Sequence, residues 1–254
     1  MELTVQTFLI VCPLLFLAGV IDAIGGGGGL ISLPAYLLGG LPPLAAIATN
    51  KLSSPLGTAL ATYRFAKNHL INVKLAVPSV LASIVGSFIG SYISLLLPEK
   101  VMAYILVIIL PLSAFLVLNK RLFNDNGSEE VILNRRTYIT AIASALIIGG
   151  YDGFYGPGSG TFLIIAFTIF ARLGVKTANA QAKVIGLATN VTSLIIFLSH
   201  GRVVVSLGLA AAACNMLGGY FGAELAVKNG AKIIKPSILL VLVLLAVKVI
   251  GSGI

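Results

Sequence analysis

The sequence has few charged residues, few cysteines and few histidines, and each shortage excludes a class of protein. Only 10% of its 254 residues are charged and 58% are hydrophobic, which excludes a soluble enzyme and a disordered chain. Its two cysteines, Cys12 and Cys214, are too few for a secreted disulfide scaffold, and both lie in apolar runs where a thiol packs as a small hydrophobe. With only two histidines, we expect no metal site.

The sequence contains long runs without a charged residue. They cover residues 3–21, 75–98, 101–119, 153–171, 184–201 and 203–223, each near or above the roughly 18 residues that a membrane-spanning helix needs. The net charge of +9 does not indicate nucleic-acid binding, because the basic residues lie singly between apolar runs. The first run lacks a basic flank and a cleavage site, so we expect this helix to be retained.

An internal repeat relates the two halves of the chain. At a spacing of 130 residues, Asp22, Gly26 and Gly28 recur as Asp152, Gly156 and Gly158; at a spacing of 132, Lys51, Gly86, Gly90 and Lys100 recur as Lys183, Gly218, Gly222 and Lys232. We therefore predict two transmembrane repeats, 1–118 and 137–254, joined by a polar cytoplasmic loop at 119–136.

The loop charges favour five segments in each repeat. If the short runs 30–41 and 161–171 each count as a segment, twelve lysines and arginines collect on one side, against Lys100 and Arg202 on the other. Four segments per repeat would split the same charges eight to six. We predict an all-α polytopic membrane protein of about ten transmembrane or half-membrane helices in two inverted five-segment repeats, with both termini outside the cytoplasm. The short runs could instead be re-entrant hairpins.

Two glycine clusters interrupt the apolar runs, at residues 25–29 and 153–160. Neither can continue a helix, and broken backbone inside a membrane is tolerated only where it is buried in protein or lines a cavity. A glycine turn followed at once by a helix presents free amide hydrogens, which suit an anion. The alternative is close packing, the role that the spacing of Gly86 and Gly90 and of Gly218 and Gly222 indicates for those glycines.

Lys51 and Lys183 lie within apolar segments, where an ionisable residue costs about 2.5 to 3.5 kcal/mol and indicates function. They are predicted to bind an anion, or else to snorkel or to form structural ion pairs with Asp22 or Asp152. The two aspartates could carry protons or cap backbone amides. Nearby amides at Asn50, Asn179, Gln181 and Asn190 offer further hydrogen bonds, or join helices to one another.

Signatures of an enzyme are weak. No glycine run is followed by the lysine and hydroxyl residue of a phosphate loop. Ser159 and His200 are the only candidate pair for a serine–histidine catalytic dyad, but His200 lies at a predicted helix end. Glu224 lies close to a basic cluster and reads as an interfacial charge. We therefore expect no catalytic residue and no cofactor.

The glycine clusters and their lysines resemble the TauE/SafE sulfite exporter family. The resemblance rests on residues 19–34 with 48–52, and on residues 151–162 with 177–183. It implies a multi-pass carrier of the bacterial inner membrane for sulfite or small organosulfonates, and it leaves proton coupling and homodimer formation open. Rival interpretations are an anion channel and a non-transporting membrane scaffold.

The residues predicted to line the substrate site lie in both halves. They are Gly26, Gly27, Gly28, Gly29, Asn50, Lys51, Gly156, Gly158, Ser159, Gly160, Thr161, Asn179, Lys183 and Asn190, with Asp22 and Asp152 in a coupling or structural role.

Overall fold

The computed structural model describes residues 4–102, 104–105 and 133–229, and every regular element within them is a helix. In chain order these elements are α1 (Val5–Gly25), α2 (Gly29–Leu38), α3 (Pro43–Lys67), α4 (Val73–Leu96), α5 (Arg135–Phe154), α6 (Ser159–Ile169), α7 (Val175–Ser199) and α8 (Val205–Asn229). The chain is helical again at 99–102 and 104–105. Most of the predicted run 101–119, most of the predicted loop and the last segment lie outside the described residues.

The helices come in two sets of four with matching lengths. The first set has 21, 10, 25 and 24 residues, and the second has 20, 11, 25 and 25. Within the described residues, α1, α4, α7 and α8 are long and apolar enough to cross a membrane. At about 1.5 Å per residue, α2 and α6 are only about half as long as the roughly 30 Å hydrocarbon core is thick. The short runs 30–41 and 161–171 therefore do not cross it as single helices.

Local signals explain where several helices begin and end. Thr4, Asn72 and Asn134 precede α1, α4 and α5, and the side chain of each accepts a hydrogen bond from a first-turn amide. Gly26 ends α1 with a φ of 77°, a left-handed conformation that glycine adopts without strain. The first predicted glycine cluster is therefore a true helix break.

Close helix contacts hold the two sets together in a crossed arrangement, in which α1 packs on α8 and α4 packs on α5. A Cβ atom on Gly86 would lie 2.1 Å from the Leu146 carbonyl oxygen, and one on Gly218 would lie 2.0 Å from that of Phe16. The second glycine of each motif makes the same kind of contact one turn later. Since these contacts join positions that the repeat relates, the halves pack on each other in equivalent ways.

The outer surface of the bundle is apolar. On α4, Leu81, Val85, Phe88 and Ile89 are each at least 50% exposed. Such a continuous apolar face is unfavourable in water and suits the hydrocarbon of a bilayer.

A larger side chain at Gly90 should separate α4 from α5. Its Cβ would lie 2.0 Å from the Gly150 carbonyl oxygen, so we expect Gly90→Ala to destabilise the protein by about 1–3 kcal/mol. Gly186→Ala in α7 is the matched control, because among the described residues no atom outside its own helix turn lies within 4 Å of its Cβ position. The measurement is the midpoint temperature of unfolding in detergent. Equal midpoints for the two variants would contradict this packing.

Candidate functional site

The two glycine breaks are in direct contact. A Cβ on Gly26 would lie 2.5 Å from the backbone carbon of Gly160, and one on Gly29 would lie 2.9 Å from the Cα of Pro157. Gly156 and Gly158 have φ values of 102° and 82°, so the second break also needs glycine. The structure thus joins the two broken helices at one place between the halves.

Two buried ion pairs cross between the halves at this place. Lys51 Nζ on α3 lies 3.1 Å from Asp152 Oδ2 on α5, and Lys183 Nζ on α7 lies 2.7 Å from Asp22 Oδ2 on α1. Both lysine side chains are at most 3% exposed. Each lysine therefore pairs with the aspartate of the other repeat.

The second half caps the broken end of α1. Asn179 Nδ2 donates to the carbonyls of Ala23 and Ile24 at 3.2 and 3.0 Å, and Thr161 Oγ1 donates to that of Gly25 at 2.7 Å. Lys183 Nζ donates to the carbonyl of Asp22. The last carbonyls of a helix lack partners within it, and here all four receive donors. Lys183, Asn179 and Thr161 consequently support the break.

The two aspartates differ in how fully their oxygens are satisfied. Asp152 accepts from Ser159 Oγ at 2.6 Å and from Thr189 Oγ1, besides facing Lys51. Asp22 accepts from Lys183 and, at 3.3 Å, from the Gly28 amide. The side chain of Asp152 is 7% exposed and that of Asp22 is 28% exposed. Asp152 is therefore held firmly, whereas Asp22 remains open on one side.

A small cavity of about 40 Å³ lies between the breaks. Because a water molecule needs about 10–15 Å³ of such space, the cavity has room for roughly three waters. It is lined by Asp22, Gly26, Gly29, Asn50, Lys51, Ser54, Thr58, Asp152, Gly156, Ser159 and Asn190. Within the part of the chain that the structure describes, no apolar side chain lines it. An ammonium, hydroxyls and amides facing a polar cavity suit a small anion rich in oxygen.

Half of the fourteen residues predicted to bind the substrate line this cavity, as do Asp22 and Asp152. Those that do not line it are Gly27, Gly28, Gly158, Gly160, Thr161, Asn179 and Lys183. Gln181 lies elsewhere and donates to the Asn72 carbonyl at 3.0 Å. Sequence reasoning missed Ser54 and Thr58, whose signal is their spacing of four and eight residues from Asn50 on one helix.

Two other groups singled out from the sequence have separate partners. Ser159 donates to Asp152, whereas His200 Nδ1 lies 2.8 Å from the Ile196 carbonyl oxygen, so the two do not form a dyad. Glu224 pairs with Lys228 and Arg64 beside a groove of about 450 Å³ between the ends of α3 and α8.

Replacing Lys183 should destabilise the protein, and a second substitution should restore part of the lost stability. Lys183→Met leaves Asp22 as an unpaired charge and removes a cap from α1. We therefore expect the free energy of unfolding to fall by about 3–5 kcal/mol. Adding Asp22→Asn should recover part of this free energy, because the unpaired charge disappears. Lys228→Met is the control: its pair with Glu224 is exposed and screened by solvent, so its loss should hardly change the unfolding midpoint. Detergent unfolding midpoints test the set, and Lys183→Met as stable as the control would contradict the buried pairing.

Comparisons with known proteins agree on one family. A family model described as "Sulfite exporter TauE/SafE" matches residues 11–249. The chain is 34% identical over 237 residues to "Probable membrane transporter protein ORF9" of Sinorhizobium sp, covering 93% of this chain and 90% of the relative. It is 32% identical over 263 residues to "Probable membrane transporter protein YfcA" of Escherichia coli K12, covering 97% and 94%.

A third relative and the solved structures complete the comparison. A "Probable membrane transporter protein" of Haemophilus influenzae is 29% identical over 251 residues, which cover 98% of this chain and 97% of the relative. No solved structure matches the chain significantly. With its apolar helices and a family match over nearly its whole length, the chain belongs to the sulfite exporter TauE/SafE family and is a multi-pass transporter of the bacterial inner membrane.

Proposed function

We propose that the protein is an ion-coupled carrier of a small inorganic sulfur oxyanion such as sulfite, which binds in the cavity between the two glycine breaks. The observation that carries this proposal is the position of Lys51. Its side chain is 1% exposed, yet its ammonium lines a polar cavity. A buried lysine that faces such a cavity inside a membrane protein points to an anionic substrate.

The Lys51 ammonium has more N–H donors than its one ion pair uses. An ammonium has three N–H groups, and among the described residues Lys51 forms one ion pair, with Asp152. Asp152 would keep its bonds from Ser159 and Thr189 if Lys51 turned towards an anion. The lysine can therefore bind the substrate without leaving a buried carboxylate unpartnered.

The lining of the cavity favours an inorganic anion over an organosulfonate. Sites that bind carbon chains are lined mainly by apolar and aromatic side chains. This cavity has none, and its volume is only about 40 Å³. A carbon chain would have no apolar partner there, whereas sulfite oxygens would meet Lys51 and the hydroxyl of Thr58. The Ser54 hydroxyl, which donates to Asn50 Oδ1 at 3.2 Å, would reach the anion by turning away from that amide.

Equivalent packing of the halves suits a carrier that alternates between two states. The crossed ion pairs and the glycine contacts join positions that the repeat relates. In an inverted repeat, exchanging the conformations of the two halves would open the same site to the opposite side of the membrane. The small cavity also suits a carrier better than a conducting pore.

Uptake into proteoliposomes tests the proposal. Labelled sulfite should enter in a saturable way, and sulfoacetate should compete at least about tenfold more weakly because its carbon chain finds no apolar wall. Lys51→Met should reduce affinity about 10- to 150-fold, the value of a charge-assisted hydrogen bond. Saturable transport of sulfoacetate in preference to sulfite, or full sulfite transport by folded Lys51→Met, would contradict the proposal.

The hydroxyls on α3 provide a finer test. We expect Ser54→Ala and Thr58→Val each to raise the KM for sulfite by about two- to tenfold, since a neutral hydrogen bond is worth about 0.5–1.5 kcal/mol. Ser79→Ala is the matched control, because this buried serine donates to its own helix at the Leu75 carbonyl. The KM of this control should not change. If all three variants behave alike, α3 does not line the substrate site.

A further inference from the structure

We infer that a proton travels with the anion and that Asp22, not Asp152, carries it. This inference rests on the proposed function and adds the coupling ion and its binding residue. It follows from the balance of charge around the cavity and from the different hydrogen bonding of the two aspartates.

The charged groups at the site cancel one another. Lys51 and Lys183 are paired with Asp152 and Asp22, and three of the four side chains are at most 7% exposed. An anion that entered this neutral, buried cluster alone would be an uncompensated charge, which is costly away from water. A proton that binds together with a monovalent anion keeps the cluster neutral.

Asp22 is the carboxylate with room for that proton. Each oxygen of Asp152 already accepts a hydroxyl donor, from Ser159 or Thr189, and one also faces Lys51. Asp22 Oδ1 accepts only the Gly28 amide at 3.3 Å among the described residues, and its side chain is 28% exposed where it lines the cavity. A protonated Asp22 could donate its O–H to an anion oxygen there.

Few other charges surround Asp22. Lys183 comes from α7 and Lys51 from α3, while Asp152 faces the same cavity from α5. Helices α2 and α6 contain no acidic, basic or histidine residue. On α8 the charged residues are Glu224 and Lys228, which pair with each other near its end, and its one thiol is that of Cys214. Among the described residues, the charge in and beside the cavity therefore comes from these two lysines and two aspartates.

The binding step balances simply. The Asp22 carboxylate takes one proton from the solution, where a buffer acid becomes its conjugate base, and turns into a carboxylic acid. The Lys51 ammonium turns from Asp152 to the anion. Lys183 keeps its bond to the Asp22 carbonyl. On the other side of the membrane the anion and the proton leave together, which restores both ion pairs.

Titration calorimetry with sulfite tests this step. Binding is measured in buffers of different ionisation enthalpy, which gives the number of protons taken up with each anion. We expect wild type to take up one proton more than Asp22→Asn. Ser79→Ala, which lies outside the cavity, is the matched control and should take up as many protons as wild type. Because sulfite's own titration is common to all three proteins, the difference reports a group of the protein. In infrared difference spectra recorded on sulfite binding, the carboxylic-acid C=O band should shift in Asp22→Glu and keep its position in Asp152→Glu.

The affinities give a second readout. Asp22→Asn leaves the site with one excess positive charge, so the variant should bind sulfite more tightly than wild type. Where binding to wild type requires proton uptake, the affinity of Asp22→Asn divided by that of wild type should grow about tenfold for each unit by which the pH rises. The variant is purified in sulfite, which should stabilise it by restoring neutrality.

The outcomes separate this inference from the proposed function. Sulfite binding with equal proton uptake by wild type and Asp22→Asn, or a carboxylic-acid band that shifts in Asp152→Glu and not in Asp22→Glu, overturns the role of Asp22 and leaves the anion site standing. No sulfite binding to wild type overturns the proposed function itself. Should Asp22→Asn fail to fold, wild type in proteoliposomes still decides: an internal pH dye should report proton entry with sulfite, and its absence during sulfite uptake would overturn the inference.

Discussion

The crossed pairing of each buried lysine with the aspartate of the other half is the interaction on which the rest of the structure depends. Two broken helices within an apolar bundle leave backbone groups and charges that water cannot reach, so each needs a partner inside the protein. Lys183 supplies both a counter-charge and a cap to the end of α1, and Lys51 supplies the counter-charge to Asp152. Because these partners come from opposite halves, the breaks must meet, and the helices on either side must pack closely enough to let them.

Departures from the repeat make the two sides of this junction different. At the position related to Asn179, which caps α1, the first half has Ile47. At the positions related to Asn50 and Ser54, the second half has Ala182 and Gly186. One lysine is thereby committed to supporting a helix end, while the other faces a polar cavity. A perfectly repeated sequence would give two equal halves, so the asymmetry of the proposed site arises from these differences.

The sequence predicted the helical class, the two breaks, the close glycine contacts and the position of the two lysines within the bundle, because glycine clusters and intramembrane charges have few physical explanations. It offered either aspartate as a partner and could not choose the crossed pairs, since that choice depends on how the halves pack. It also treated Lys51 and Lys183 alike. Ser54 and Thr58 escaped notice because single hydroxyl residues in a helix usually bond to their own backbone.

The central claim, that a small oxyanion binds Lys51 between the two glycine breaks, is tested most directly by a crystal structure with bound selenite, a heavier analogue of sulfite. Anomalous scattering from selenium locates the anion without reference to the surrounding density. We expect one strong peak in the cavity, with selenite oxygens within about 3 Å of Lys51 Nζ. A peak in the groove beside Arg64, or an empty cavity under conditions where selenite competes with sulfite for transport, would contradict this account.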